Sequence, residues 1–295
     1  MGLLDSLKSL LPASSSKVNV RTRFEILKEA ISGTMSSFYM ARDRQTDRVV
    51  GLKILDPVKT AALEARFTGI KKPSEGEIAS NFHHPRIVET LEHGLTTDGE
   101  QYIVMEFLDG PGLNSIVVAR SPELDGRRLS LVRQAAEALA VVHKAGYIHR
   151  DVCPRNFVVS RDLDNLKLID FGLAVPATAP FMQPGNRTGT PNYMAPEVVR
   201  RRPTSHRLDI FSFGVTAYEL FAFELPWPRG ATGEAAKAAM AHGVAEPTDL
   251  REYCPKVCPA IASTISACLH SKPEKRPASM DDVLMRFQAI KHETA

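Results

Sequence analysis

The sequence lacks the features that mark membrane-spanning, secreted and strongly charged proteins. It contains no apolar run of roughly 18 residues, which a membrane-spanning helix requires, and no secretory signal with a cleavage site. Its four cysteines are scattered and too few for a disulfide framework. The formal net charge of +3 is too small to indicate binding to nucleic acid. With 43% hydrophobic and 24% charged residues, the chain is predicted to be globular and cytoplasmic.

Residues 1–23 are predicted to form a separate segment. Five leucines recur at helical spacing within residues 1–11, and Pro12 and a run of serines then interrupt the pattern. The pattern predicts a short amphipathic helix followed by a linker. Its apolar stripe fits a partner protein, a peripheral membrane surface or the body of the protein itself, and the sequence leaves these alternatives open. The leucines are Leu3, Leu4, Leu7, Leu10 and Leu11.

The remaining sequence changes from strand patterns to helix patterns. Between Phe24 and residue 105, β-branched and apolar runs such as RVVGLKIL predict strands, and Asp98-Gly99 predicts a hairpin turn. Apolar residues recur at helical spacing from 128 to 145, and the apolar run that starts at Asp209 predicts a buried helix. Ser279 provides a start signal for a terminal amphipathic helix. The predicted fold class is therefore α+β, with a strand-rich lobe followed by a helical one.

Several short motifs occur in a fixed order along this part of the chain. Lys53 ends VVGLK, HRDVCPRN begins at His149, and DFG begins at Asp170. GTPNYMAPE ends at Glu197, and KPEKRP contains Arg276. The order and the gaps resemble the eukaryotic-type, or Hanks-type, protein kinase catalytic domain. The resemblance covers residues 24–290 and implies a bilobal protein kinase-like fold, with an N-lobe at 24–105, a hinge at 106–109 and a C-lobe at 110–290.

The resemblance implies an activity and assigns residues to it. The implied reaction transfers the γ-phosphoryl group of ATP to a serine or threonine of a protein substrate, with Mg²⁺ as cofactor. Asp151 is then the catalytic base, and Thr190 hydrogen-bonds to it. Asn156 and Asp170 supply oxygen ligands for Mg²⁺, and Lys53 holds the α- and β-phosphates.

The phosphate-covering loop departs from the family pattern. Aligned on Tyr39, it reads ISGTMSSF, in which Gly33 is kept, Ile31 and Ser36 replace glycines, and Phe38 replaces a valine. Glycine lets backbone amides approach phosphate without an intervening Cβ, so we expect a weaker grip on the nucleotide. The nucleotide-binding residues that the resemblance implies are Ile31, Gly33, Ser36, Phe38, Lys53, Glu75, Met105, Glu106, Leu108, Val158 and Asp170.

Lys53 requires a carboxylate partner, and two glutamates compete for this role. Counting back from HPRIV at 84–88 favours Glu75, with Glu77 as the alternative. Ser74 and Glu77 have the spacing of a capping box, and Pro73 before them supports a helix start. In that case Glu77 is structural, and Glu75 in the first helical turn is the predicted partner of Lys53.

Cys153 occupies the position at which Ser/Thr kinases carry a lysine that reaches the transferred phosphoryl group. Losing a charge-assisted hydrogen bond of about 1.5–3 kcal/mol slows the reaction by roughly 10- to 150-fold if the bond acts in the transition state. Arg155 stands where one type of tyrosine kinase carries an arginine, so we predict that the cation has moved there and that Cys153 is a small filler. The alternatives are a solvated Arg155 and a redox-sensitive Cys153.

The motifs favour an active Ser/Thr kinase over other classes. Thr190 in GTPNYMAPE favours serine or threonine as acceptor, although tyrosine or dual activity stays open. The main alternative is a pseudokinase that acts as a binding or scaffold module, and a small-molecule kinase is a third. Pseudokinases commonly lack at least one of the residues that correspond to Lys53, Asp151, Asn156 and Asp170, and this chain has all four.

Three further residues are predicted to be architectural. Glu197 and Arg276 are expected to form a buried ion pair that ties the activation segment, residues 170–197, to the lower lobe. Asp209 is expected to hold the backbone of the turn at His149 and Arg150.

Overall fold

The computed structural model describes residues 17–30, 36–67, 69–185, 187–227, 242 and 245–294. The predicted amphipathic helix at residues 1–11 lies outside these residues, and so do Ile31 and Gly33. The chain divides into two compact units. The first comprises Met1–Asn81 and Glu89–Leu108, and the second comprises Phe82–Val88 and Asp109–Ala295. Within the described ranges, no helix combines the length and the apolar character needed to cross a membrane.

The first unit is built on a five-stranded antiparallel sheet with the strand order β1-β2-β3-β5-β4. The strands are β1 (Phe24–Ala30), β2 (Ser36–Asp43), β3 (Arg48–Leu55), β4 (Thr90–Leu95) and β5 (Gln101–Glu106). Its described helices are α1 (Val20–Arg23), α2 (Pro57–Glu64) and α3 (Glu75–Ala79). The predicted hairpin turn between β4 and β5 is confirmed, because Gly99 adopts a φ of 86°, which favours glycine.

Residues 18–23, predicted as linker, instead belong to the first unit. Val20 of α1 packs into an apolar cluster on the sheet. Arg23 donates hydrogen bonds to Asp43 at 3.1 and 2.9 Å and to Glu92 at 2.8 Å twice, and Tyr102 donates to Glu92 at 2.5 Å. The bond from Arg23 holds the pKa of the Asp43 carboxyl below its usual range. The cluster consists of Val20, Phe24, Ala41, Val50, Leu52, Tyr102 and Val104, with Val18, Tyr39 and Ile54 packed against it.

The second unit is mostly helical. Its described helices are α4 (Leu113–Val118), α5 (Arg128–Lys144), α6 (Pro196–Val199), α7 (Arg207–Ala222), α8 (Leu250–Tyr253), α9 (Pro259–Cys268) and α10 (Met280–Gln288). Strands β6 (Tyr147–Ile148) and β9 (Val175–Pro176) form one antiparallel pair, and β7 (Phe157–Val159) and β8 (Leu166–Leu168) form another. The predicted start of the terminal helix is confirmed, because the Ser279 hydroxyl accepts a hydrogen bond from the Asp282 N–H at 3.1 Å.

Helix α7 is buried along almost its whole length. Every residue from Leu208 to Ala222 is buried, and the helix packs against α5 and α9. This confirms the helix predicted from the nearly continuous apolar run. The α+β fold class is also confirmed, since the large sheet lies in the first unit and the long helices lie in the second.

Candidate active site

Lys53 and Glu75 form a buried ion pair in the first unit. Lys53 lies on β3, and Glu75 is the first residue of α3. Lys53 Nζ is 2.5 Å from Glu75 Oε1, and both residues are less than 9% exposed. A buried ammonium group is tolerated when a carboxylate is close, so Glu75 compensates the charge of Lys53 at this position.

The capping box determines which glutamate pairs with Lys53. The Ser74 hydroxyl accepts from the Glu77 N–H at 3.2 Å, and the Glu77 carboxylate accepts from the Ser74 N–H at 2.7 Å. The latter bond holds the pKa of Glu77 below its usual range. Glu77 therefore stabilises the start of α3, and the structure brings Glu75, as predicted, to Lys53.

Phe38 and Met105, both predicted to contact nucleotide, lie against Gly51 in the sheet. A Cβ on Gly51 would lie 2.8 Å from Phe38 Cζ and 3.0 Å from Met105 Cγ. Non-bonded carbon atoms do not approach this closely without repulsion, so any side chain at position 51 would require the Phe38 ring to shift. Sequence reasoning noted Phe38 but missed Gly51, because the two lie on different strands.

The other predicted nucleotide-binding residues of the first unit lie at strand ends. Ser36 begins β2, and Glu106 ends β5. The Glu106 N–H donates to Glu89 O at 3.0 Å, and the Glu89 N–H donates to Glu106 Oε1 at 2.8 Å. Leu108, which follows, is half-buried. The predicted hinge thus begins at a hydrogen-bonded end of β5.

In the second unit, several donors orient the carboxylate of Asp151. Its Oδ1 accepts from both the N–H and the hydroxyl of Thr190, each at 2.8 Å. Asn156 Nδ2 donates to Asp151 Oδ2 at 3.1 Å and to the Asp151 carbonyl at 2.6 Å. Hydrogen bonds to a charged group are stronger than neutral ones, so these contacts fix the orientation of Asp151.

Gly189 allows Thr190 to reach Asp151. Its φ is 119°, and a Cβ there would lie 2.8 Å from the Arg150 carbonyl oxygen. An L side chain would therefore be both strained and in collision with the backbone. The glycine of GTPNYMAPE is required because two backbone segments approach closely at this point.

Asp209 holds the backbone that precedes Asp151. Its two carboxylate oxygens accept from the His149 and Arg150 N–H groups, each at 2.8 Å, which confirms the predicted role. Arg150 has a φ of 69°, an unfavourable value for a residue with a side chain. His143 Nε2 lies 2.8 Å from Asp209 Oδ2, a contact that sequence reasoning missed. Burial alone would raise the pKa of Asp209, but the hydrogen bond and charge of His143 hold it below its usual range.

The β7–β8 pair brings Asn156 and Asp170 together along the backbone. Asn156 directly precedes β7, and the Ile169 N–H donates to the Asn156 carbonyl at 3.0 Å. Asp170 is the next residue, and its Oδ1 accepts from the Gly172 N–H at 2.8 Å. Val158, a predicted nucleotide-binding residue, is half-buried in the middle of β7.

Phe171 fixes the position of the residue after Asp170. Its ring stacks on Phe82 with the centroids 4.8 Å apart, and it meets the edge of His149 at 5.4 Å. All three rings are buried. Their packing joins the DFG motif to the HRD motif within the second unit.

Comparison with known proteins identifies the family. A family model described as protein kinase domain matches residues 24–288. The chain belongs to the protein kinase family. Serine/threonine-protein kinase pkn3 of Myxococcus xanthus is 33% identical over 272 residues, which cover 88% of this chain and 48% of that relative.

Two other relatives support the same assignment. Serine/threonine-protein kinase PrkC of Bacillus subtilis is 29% identical over 265 residues, which cover 88% of this chain and 39% of the relative. Serine/threonine-protein kinase PAK mbt of Drosophila melanogaster is 32% identical over 223 residues, which cover 75% of this chain and 33% of the relative. The predicted kinase domain is confirmed, and the chain spans less than half the length of these relatives.

Two oxygen-bearing residues fit the magnesium ion that protein kinases use with ATP. Within the described ranges, no group of three or more His, Cys, Asp or Glu residues could hold a metal ion. Asn156 uses its amide nitrogen for Asp151, so its side-chain carbonyl oxygen would be the atom available to a metal ion, and Asp170 would offer a carboxylate. Mg²⁺ usually binds through one or two carboxylates, substrate phosphates and water, so this small set is sufficient.

Cys153 is buried, and its thiol is predicted to be unreactive. It is 1% exposed, and its Sγ lies 3.7 Å from the Thr190 hydroxyl oxygen. Burial raises the pKa of the thiol to about 12, so it is protonated at neutral pH. This environment contradicts the alternative of a redox-sensitive thiolate, which needs a lowered pKa. Arg155 is exposed in the short 3-10 turn Pro154–Asn156, directly before Asn156.

The predicted ion pair between Glu197 and Arg276 is confirmed. Arg276 Nη1 and Nη2 lie 2.7 and 2.8 Å from the two carboxylate oxygens of Glu197. The guanidinium also donates to the carbonyl oxygens of His270 and Arg207 at 2.8 Å each. It lies over the Phe211 ring, 5.0 Å from its centroid. A fully buried guanidinium is thus provided with acceptors on all sides.

Proposed function

We propose that this chain transfers the γ-phosphoryl group of ATP to serine or threonine residues of protein substrates. The observation that carries the proposal is the geometry of Asp151, whose carboxylate is oriented by both donors of Thr190 and by Asn156. A general base must be held where it can accept a hydroxyl proton. The names of the relatives, all serine/threonine-protein kinases, support the same acceptor class.

The other polar residues take roles that phosphoryl transfer requires. Asp151 orients the incoming hydroxyl and accepts its proton. Lys53, which is paired with Glu75, binds the α- and β-phosphates. Asn156 and Asp170 would hold Mg²⁺, which would neutralise charge on the phosphates.

The nucleotide base is assigned to apolar and backbone groups of the first unit and the hinge. Phe38 and Met105, which lie against Gly51, line one side of the adenine position. Glu106 and Leu108 provide backbone hydrogen-bonding groups at the hinge. Ile31 and Gly33 of the phosphate-covering loop are proposed contacts that lie outside the described residues, while Ser36 begins β2. Val158 in β7 of the second unit is a further proposed nucleotide contact.

Arg155 is proposed as the cation that replaces the usual lysine. A cysteine cannot supply the positive charge of a lysine, and Cys153 is buried with its thiol protonated at neutral pH. Arg155 is exposed one residue before Asn156, and its planar guanidinium can bind two phosphate oxygens at once.

Residues 1–11 are proposed to dock on a partner protein, a membrane surface or the chain itself. The four unpaired cysteines support a reducing, cytoplasmic compartment.

A phosphorylation assay with acceptor-matched peptides tests the proposal. Peptides that differ only in carrying serine, threonine or tyrosine are incubated with Mg-ATP and the wild-type chain or Asp151→Asn. We expect transfer to serine and threonine by the wild type alone. Equal transfer by Asp151→Asn, or transfer to tyrosine only, would contradict the proposal. Arg155→Ala should lower kcat by roughly 10- to 150-fold if the displaced cation acts in the transition state.

A further inference from the structure

We infer that the turn formed by Arg200, Arg201 and Arg202 docks acidic residues of the protein substrate, an inference that rests on the proposed function. The three side chains directly follow α6, and all three are exposed. Arg201 and Arg202 form no ion pair with any residue within the described ranges. Adjacent like charges repel one another, so such a run is favourable when a partner of opposite charge is present.

The backbone at Arg201 adds an independent argument. The Arg201 N–H donates to Val198 O at 3.1 Å, and the Arg202 N–H donates to Glu197 O at 2.8 Å. This pair of bonds forms a Schellman motif, whose left-handed position is usually glycine. Arg201 occupies that position with a φ of 54°. The chain therefore carries a cation where glycine would be more stable, which indicates that the side chain is needed there.

The turn lies beside the segment that bonds to Asp151. The Thr204 N–H donates to Met182 O at 3.0 Å, which joins the residues after the turn to the activation segment. From Thr190 a single short path runs through α6 to the turn. At about 1.5 Å rise per helical residue and about 3.3 Å per extended residue, this path is at most roughly 25 Å long. Acidic residues within about eight positions of the acceptor can span that distance.

The exposed charge on this stretch has one sign. Glu197 is the only acidic residue between positions 171 and 208, and it is buried against Arg276. No acidic residue on this stretch therefore compensates the positive charge of the turn. A basic surface also attracts anionic lipid, but recognition of lipid usually involves clusters of four to eight basic residues. Three arginines beside the activation segment fit a short acidic peptide better.

The test compares two acceptor peptides and three charge variants. The peptides share one phosphoacceptor and carry either glutamate or glutamine at the surrounding positions. The docking variant is Arg200→Gln/Arg201→Gln/Arg202→Gln. The control Lys256→Gln/Arg286→Gln/Lys291→Gln removes three exposed charges from the region around α10. Arg201→Gly removes one charge while relieving the backbone, so it should fold with an equal or higher Tm.

The docking variant should lose activity towards the acidic peptide only. An exposed ion pair changes binding by about 1.4- to 5-fold, so the triple change should lower kcat/KM by roughly 3- to 100-fold through KM. Arg201→Gly should show about a 1.4- to 5-fold loss. The glutamine peptide and the control should be unaffected, and added salt should reduce the preference for the acidic peptide.

A binding measurement separates this inference from the proposed function. Fluorescence anisotropy of the labelled acidic peptide reports docking without turnover, so it is informative even if no phosphoryl transfer occurs. Weaker binding by the docking variant, with unchanged binding by the control, would support the inference. Equal binding by both variants, or equal losses with both peptides, would overturn it. Loss of sedimentation with phosphatidylserine vesicles while peptide binding is retained would also overturn it and assign the turn to lipid.

Discussion

Replacing Thr190 by valine tests how far the orientation of Asp151 determines the rate. Thr190→Val keeps the side-chain shape and removes the hydroxyl that donates to Asp151 Oδ1 at 2.8 Å. The backbone N–H of residue 190, also at 2.8 Å, remains as a donor to the same oxygen. A hydrogen bond to a charged group contributes about 1.5–3 kcal/mol. Because one donor remains, we expect the lower part of that range, a fall in kcat of roughly 10- to 30-fold.

Steady-state kinetics at saturating ATP can measure this effect. The fall should occur in kcat, with KM for ATP little changed, because Asp151 acts on the acceptor hydroxyl. Thr190→Ser keeps the oxygen and should retain kcat within about threefold. Matched melting curves check that each variant is folded. A kcat for Thr190→Val within about twofold of the wild type, or an equal loss of kcat in Thr190→Ser, would show that the hydroxyl does not orient Asp151.

Three other changes test separate parts of the structure. Arg276→Met leaves the Glu197 carboxylate buried without its partner, which costs about 3–5 kcal/mol. Calorimetry should show a Tm lower by roughly 6–20 °C, and an unchanged Tm would contradict the assignment. Gly51→Ala should crowd the Phe38 ring and raise KM for ATP. The double variant Gly51→Ala/Phe38→Val should have a KM for ATP close to that of the wild type. A double variant whose KM for ATP stays raised would contradict the inferred contact between residue 51 and the Phe38 ring. Iodoacetamide at neutral pH should modify Cys153 only after unfolding, because burial raises its pKa to about 12. Peptide mapping of the native protein after treatment would detect modified Cys153, and its presence would contradict the prediction.

Local sequence signals predicted the features that depend on neighbours in the chain. Ser74 and Glu77 are three residues apart, so the capping box could be recognised directly, and it indicated that Glu77 is structural. Counting back from HPRIV favoured Glu75 as the partner of Lys53. The turn at Asp98-Gly99 was predictable for the same reason, since one residue with positive φ determines the hairpin.

Contacts between distant segments could not be predicted in this way. Arg23 meets Glu92 across 69 positions, and only the order of strands in the sheet brings them together. His143 reaches Asp209 because α5 packs against α7. Gly51 was overlooked because the small residue matters only through the large ring of Phe38 on another strand. In each case the missing information was the pairing of elements rather than the type of residue.

Intact-mass analysis after incubation with Mg-ATP is the most direct test of the central claim. The wild-type chain, supplied with a protein substrate, should convert that substrate to a form heavier by one or more phosphoryl groups. Asp151→Asn, matched in folding by its melting curve, should leave the substrate mass unchanged. Substrate that gains phosphoryl groups equally with both proteins, or with neither, would contradict the assignment of Asp151 as the base of an active kinase.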